Sequence, residues 1–239
     1  MDVLYILGNG SQWKNKELRY SLRSLERFAA NVDRIFVTGV DPGFLAPEVI
    51  FTPADDPGPS RSFNHVHKVR ETILKTDISE RFLLNYDDNF LMAPVDIEKY
   101  PFYYRGTLPA VTETQRAYRY SLINAREYLL KHGKPILNWS VHCPCIYERE
   151  KFMALEDAWK LCEKEQFGLA VRSVYLNWYG IEGEYLKDCK LKTVQNIQET
   201  SLAIQGRSVF SIHDKAIPNG VATLLEEYFP NPSRWEVPE

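Results

Sequence analysis

Residues 82–92 read Phe-Leu-Leu-Asn-Tyr-Asp-Asp-Asn-Phe-Leu-Met. An apolar run delivers two adjacent carboxylates, Asp87 and Asp88, and a second apolar stretch follows at once. A short apolar run bounded by polar residues reads as a buried strand, here 81–86. Adjacent acids at a strand exit rarely serve packing, because unpaired buried charge is costly. They suit a hard divalent cation, which takes oxygen ligands and keeps waters and substrate phosphates in its shell. A helix cap or a solvated turn uses the same residue types, so the pair alone leaves both readings open.

The flanking sequence places this strand in a sheet. Residues 2–7 read as a strand that ends at Gly8-Asn9-Gly10-Ser11, and residues 15–29 carry Leu18, Leu22, Leu25 and Phe28 at helical spacing. Strands are expected at 33–39 and 49–52. The stretch 53–60, with three prolines, Gly58 and Asp55-Asp56, reads as loop. Asn64 is a candidate cap for a helix from 65 to about 75. This β-α-β-β-α-β order predicts an α/β fold with a central, mostly parallel sheet. Ligands of such sheets collect beyond the carboxyl ends of the strands, where both the Gly8–Ser11 loop and Asp87-Asp88 fall.

The second half is less regular. A helix is expected over 114–131, with Tyr118, Leu122, Ala125 and Leu129 on one face and Arg116, Arg119, Arg126, Lys131 and Lys134 around it. Those charges suit a solvated face or a surface for an anionic acceptor. An extended stretch over 135–147, a helix near 149–165, a short helix within 172–190, a strand at 210–214 and a helix at 221–229 complete the expectation. No interdomain linker interrupts the chain. It reads as one catalytic domain over 1–239, with a nucleotide- and metal-binding half at 1–104 and an acceptor-side, catalytic half at 105–239.

Net charge is −3, so there is no global basic footprint for nucleic acid. No stretch approaches the roughly 18 consecutive apolar residues of a membrane span. The start, Met-Asp-Val-Leu-Tyr-Ile-Leu, lacks a basic n-region and reads as a first strand rather than a signal peptide, which points to a cytoplasmic protein. Cys143, Cys145, Cys162 and Cys189 are therefore expected as reduced thiols. His142-Cys143-Pro144-Cys145 has the wrong spacing for a zinc site, and no second pair follows.

Four separated stretches, taken in order, resemble the Stealth family of sugar-phosphate transferases, which includes capsular polysaccharide phosphotransferases and the α/β subunit of GlcNAc-1-phosphotransferase. The first is Asp2-Val-Leu-Tyr5 with Gly10-Ser11. The second and closest runs from Glu17-Leu-Arg-Tyr-Ser-Leu-Arg-Ser-Leu-Glu26 through Ser62-Phe-Asn64 to Asn85-Tyr-Asp-Asp-Asn-Phe-Leu91, with Tyr86 where the family usually has Asn. The third is His142-x-Pro144, Arg149 and Val171-Arg172-Ser173. The fourth is Ser211-Ile-His-Asp214 followed by Phe229-Pro-Asn-Pro-Ser-Arg-Trp-Glu236, with His213 in place of Asn.

The resemblance implies a glycosyltransferase-A-like, Rossmann-like nucleotide-sugar-binding fold, a nucleotide-sugar donor such as a UDP-sugar, and Mg²⁺ or Mn²⁺. Expected metal ligands are Asp87, Asp88 and Asp214; expected catalytic groups are Asp88, His142, Arg172 and Asp214. His142 has an unperturbed pKa near neutrality that suits proton transfer, although a lone His is more often structural. Arg172 and Arg149 suit phosphates, which guanidinium groups bind bidentately. Gly8, Asn9, Gly10, Ser11, Arg61, Asn64, His65, Arg149 and Lys215 are the expected substrate contacts. The expected reaction moves a sugar-1-phosphate, or a sugar, onto an acceptor hydroxyl of a glycan. Alternatives are a glycosyltransferase acting on a small metabolite or on a hydroxymethylated base of phage-type DNA, which the net charge disfavours, and a non-catalytic sugar-nucleotide or glycan-binding module.

Overall fold

The computed structural model describes residues 1–58, 60–111, 116–164, 166–191 and 194–237. Its main sheet holds five strands: β1 (Asp2–Leu7), β2 (Ile35–Gly39), β3 (Ile50–Pro53), β4 (Arg81–Asn85) and, from further along the chain, Cys145–Glu148. The short strand Asn89–Leu91 is β5, so Cys145–Glu148 is β6. The order is β3-β2-β1-β4-β6, parallel except for β6, which runs antiparallel to β4. A smaller sheet joins β7 (Lys190–Leu191), β8 (Val209–Ile212) and β5, with β8 antiparallel to β5.

Side-chain alternation explains how the main sheet is covered. Val3, Tyr5 and Leu7 of β1 face one core, with Leu18, Leu22 and Leu25 of α1 (Lys16–Phe28), whereas Leu4 faces the other, with Val66 and Val69 of α2 (Arg61–Lys75). That second core also takes in α3 (Ala117–Lys131), α4 (Arg149–Met153), α5 (Glu156–Lys164) and α6 (Val171–Trp178). A strand buried on both faces needs a near-continuous apolar run, as β1 and β4 have. A third cluster packs α7 (Ile197–Ile204) and α8 (Val221–Tyr228) on the smaller sheet. Among the described residues no helix is long and apolar enough to cross a membrane.

Chain direction reverses about β1. From β1 the chain steps to β2 and β3, then α2 carries it back across to β4 on the other side. The carboxyl ends of β1 and β4 therefore flank a topological switch point, the position where such sheets bind ligands. Gly39 closes β2 beside this crevice at φ +135°, and a Cβ there would stand 2.0 Å from the carbonyl oxygen of Leu7. Only glycine fits that approach.

Several elements differ from expectation. Ser60, not Asn64, caps α2, its hydroxyl accepting from the Phe63 amide; the helix starts four residues early because Ser60 lies before it in extended conformation, as a cap requires. The expected 114–131 helix begins at Ala117, and residues 114 and 115 lie outside the described set, as does Pro59 of the expected loop. The 149–165 helix is two helices, α4 and α5, and residue 165 lies outside the described set. All four cysteines are buried free thiols.

Candidate active site

β4 delivers Asp87 and Asp88 into the crevice, on a turn closed by the Asn89 amide donating to the Tyr86 carbonyl at 3.1 Å. A buried polar network holds this turn from beneath. Asn85 Nδ2 donates to Tyr5 Oη, which lies 3.1 Å from Ser21 Oγ, and Ser21 in turn donates to the Asn89 carbonyl at 2.6 Å. Asn85 Oδ1 accepts from the Tyr86 amide and from Asn89 Nδ2. Apart from Asn89 Oδ1, which is buried without a partner, these linked polar groups are hydrogen-bonded to one another and favour one geometry.

The charges above that network are not balanced locally. Asp88 Oδ2 accepts from Lys190 Nζ at 2.9 Å. Asp87 makes no ion pair of its own among the described residues. Part of its surface stays open to solvent, but protein encloses it on most sides. Burial, then the neighbouring charges of Asp88 and Glu17, push its carboxyl well above the usual range. Glu17, in the first turn of α1, is buried, and burial likewise raises its carboxyl, with the charges of Asp214 and Asp88 adding to the effect. Asp214 opens the 3-10 turn that follows β8. Four carboxylates from three separate segments therefore sense one another.

His142 stands on the other side of the crevice. Its Nδ1 lies 2.7 Å from Asp188 Oδ1, which fixes Nδ1 as the protonated nitrogen and leaves Nε2 as a base. Asp188 also pairs with Arg105. Burial alone would raise the Asp188 carboxyl; the His142 hydrogen bond and the charges of His142 and Arg105 overcome it and hold the group far below its ordinary value. Two residues on, Lys190 reaches Asp88. The stretch 188–190 thus ties the His142 side of the crevice to the Asp88 side.

Arg172, in α6, is 7% exposed. Its Nη1 donates to the Val141 carbonyl at 2.6 Å, next to His142, and its guanidinium lies 5.8 Å from the centre of the Tyr86 ring. Its Nη2 is buried without a hydrogen-bond partner. His65 Nδ1 and Tyr86 Oη share a hydrogen bond at 3.1 Å. Burial, Arg172 and Lys68 depress the His65 imidazole to about 3, so it stays neutral and braces Tyr86.

The remaining expected contacts divide. Asn9 and Gly10 lie exposed at the tip of the β1–α1 loop, and a Cβ on Gly10 would meet nothing within 4 Å. Ser11 turns inward: its hydroxyl donates to both Glu17 oxygens and accepts from the Trp13 and Asn15 amides, which leaves it to shape the loop. A Cβ on Gly8 would stand 3.3 Å from Asp56 Oδ2, and Asp56 pairs with buried Lys68. Asn64 Oδ1 accepts from the Gly58 amide and pins the β3–α2 loop. Arg61 and Lys215 are exposed. Arg149 is carried away: β6 is antiparallel, so its end lies beside Arg81 at the amino end of β4, where Arg149 meets Glu80 at 3.5 Å. The sequence reading missed Asp188 and Lys190, whose partners lie far off in the chain, and the Asp56–Lys68 pair, which joins a loop to a helix. Glu17 lay within the family-like second region without being singled out.

Among the described residues no three His, Cys, Asp or Glu side chains stand close enough to hold a metal ion by themselves. The donor set still fits a hard cation of the Mg²⁺ or Mn²⁺ kind. Such ions are often held by one or two carboxylates, with waters and substrate phosphates completing the shell, and Asp87 beside Asp88 offers that pair; a bound cation would favour loss of the proton that burial keeps on Asp87.

No family model matches the chain, and no curated protein matches it. Among solved structures it is similar to the galactosyltransferase LgtC, determined in complex with donor and acceptor sugar analogs. The TM-score is 0.51 at 11% identity, over 98% of each chain. The fold is thus an α/β, glycosyltransferase-A-like fold with a central, mostly parallel sheet.

Proposed function

We propose that the chain is a metal-dependent transferase that takes a nucleotide-sugar donor and passes a sugar-1-phosphate to an acceptor hydroxyl of a glycan. The observation that carries the proposal is the joining of an oriented His142 to the Asp87-Asp88 turn through residues 188–190, at the switch point of a nucleotide-binding type of sheet. The ordered Stealth-like stretches support the phosphoryl form of the reaction, and Mg²⁺ or Mn²⁺ held by Asp87 and Asp88 would neutralise the diphosphate as a Lewis acid; Asp214, expected as a third ligand, does not complete a three-carboxylate set with them.

The residues divide the work as follows. His142 Nε2 takes the acceptor hydroxyl proton while Asp188 stabilises the resulting imidazolium. The acceptor oxygen bonds to the phosphorus that bears the sugar. The bond from that phosphorus to the bridging oxygen breaks, and the nucleoside monophosphate leaves with the electron pair. Arg172 Nη2, a buried donor without a partner, takes a phosphate oxygen and stabilises charge on the transferred group. Gly8, Asn9 and Gly10 admit the nucleotide along the end of β1.

The likeness to a galactosyltransferase favours a second reading, in which attack falls on the sugar carbon and a nucleoside diphosphate leaves. A panel of nucleotide sugars with Mn²⁺, scored for released nucleotide, tests both: UMP from a UDP-sugar supports phosphoryl transfer, and UDP supports glycosyl transfer. Binding without turnover across the panel would reduce the protein to a binding module.

A further inference from the structure

Lys190 is delivered to Asp88 from the smaller sheet. It lies on β7, paired with β8 at Lys190↔Ser211, and the next residue of β8, Ile212, donates its amide to the Asp88 carbonyl at 3.2 Å. Asp188 and Lys190 reach His142 and Asp88 respectively, and Cys189 between them is buried. Asp188 is anchored by His142 and Arg105, so the backbone that carries Lys190 is fixed while its four-carbon stem is not. The pair is largely enclosed, with side-chain exposures of 18% for Lys190 and 25% for Asp88.

We propose that Lys190 is a built-in counter-cation that holds Asp88 until a divalent cation takes its place, and then pairs with the donor diphosphate. This rests on the nucleotide-sugar reading of the site. A divalent cation competes with the ammonium for Asp88 Oδ2, where Lys190 Nζ now lies at 2.9 Å, and like charges on one carboxylate in a partly enclosed site repel. The ammonium must swing away on its stem. A diphosphate arriving at the same turn offers it a new anion without leaving the crevice, and lysine binds phosphate well as a point charge. Metal alone therefore has to displace a bound cation without recompense, whereas metal with nucleotide gives that cation a partner. Lys190 couples the two ligands, and the coupling is reciprocal.

Isothermal titration calorimetry of Mn²⁺ alone, and of UDP with and without Mn²⁺, tests this on the wild-type protein and on Lys190→Met, which keeps the stem and loses the charge. The expected result is opposite shifts: Mn²⁺ alone binds about tenfold tighter to the variant, and UDP with Mn²⁺ about tenfold weaker, in the ordinary range of coupling between sites. Unchanged or weaker Mn²⁺ binding, or unchanged UDP binding, overturns the proposal. Lys190→Gln takes the same measurements if the methionine variant does not fold. Wild-type protein that binds neither Mn²⁺ nor any nucleotide would overturn the nucleotide-sugar reading itself; wild-type protein that binds both, with a variant that behaves identically, would overturn only the role of Lys190.

Discussion

Two enclosed carboxylates show opposite uses of the same group. Glu236, near the carboxyl end, has a fully buried side chain and is saturated: Arg19 and Arg23 reach it at 2.9 and 2.8 Å, and Ser233 donates to it from amide and hydroxyl. Burial alone would raise its carboxyl, but the Arg23 bond and the other donors win and lower it. Asp87 has no such partner, and burial together with Asp88 and Glu17 raises it instead. Glu236 ties the end of the chain to α1 and stabilises the fold. Asp87 costs stability where it stands, and a group that costs stability in a crevice is a candidate for function.

That contrast can be broken by mutation. The largest expected effect is on turnover: Asp87→Ala with Asp88→Ala should lower metal-dependent release of nucleotide by on the order of 10⁴-fold in a protein that still folds, since removing a single electrostatic stabiliser already costs about 10²–10³. Undiminished turnover would return the pair to the status of a plain turn. Glu236→Ala should act on the other side of the comparison, destabilising the protein by about 3–5 kcal/mol in urea unfolding, because buried Arg19 and partly buried Arg23 lose their carboxylate. Specific activity of the folded fraction should hold.

Asp188→Asn should reduce kcat by about 10²-fold, the lower end for general-base catalysis, and leave KM for the donor unchanged. A matching rise in KM would show that Asp188 shapes donor binding instead of orienting His142.

The smallest effect is on stability against pH. Asp87 has a raised folded pKa, about 8 against 3.8 for the free group, so the folded state keeps a proton that the unfolded chain has lost. Its contribution is fully present below about pH 4 and is lost as pH rises toward 8. Asp87→Asn in metal-free buffer should therefore become more stable than wild type across that window, read as a widening gap in melting temperature. Glu236 titrates with the opposite sign: its contribution is present above its ordinary value of 4.5 and fades as pH falls below it. If Asp87→Asn tracks wild type at every pH, Asp87 is not strained.

The first half of the fold was legible because local pattern and tertiary environment agree there. β1, β2 and β4 are apolar runs in a sheet buried on both faces, and α1 repeats Leu18, Leu22 and Leu25 at the spacing of one helical face. The cap of α2 was misplaced because Ser60 and Asn64 are both plausible caps, and the choice depends on Gly58, which engages Asn64. Arg149 was misjudged for a topological reason, since nothing local to β6 reveals that it runs antiparallel.

By itself, the sequence determined the α/β pattern and put Asp87 and Asp88 at the exit of a buried strand, because periodicity and the cost of buried charge are local properties. Tertiary structure alone decided which partners those acids meet. Lys190 and Glu17 come to them from segments about 70 to 100 residues away, and only the tertiary fold brings a lysine to Asp88 and, across 46 residues, the Asp188 carboxylate to His142. Charge acts through distance in space, so neither the compensation of one acid nor the exposure of its neighbour to an unneutralised field was written in the order of residues.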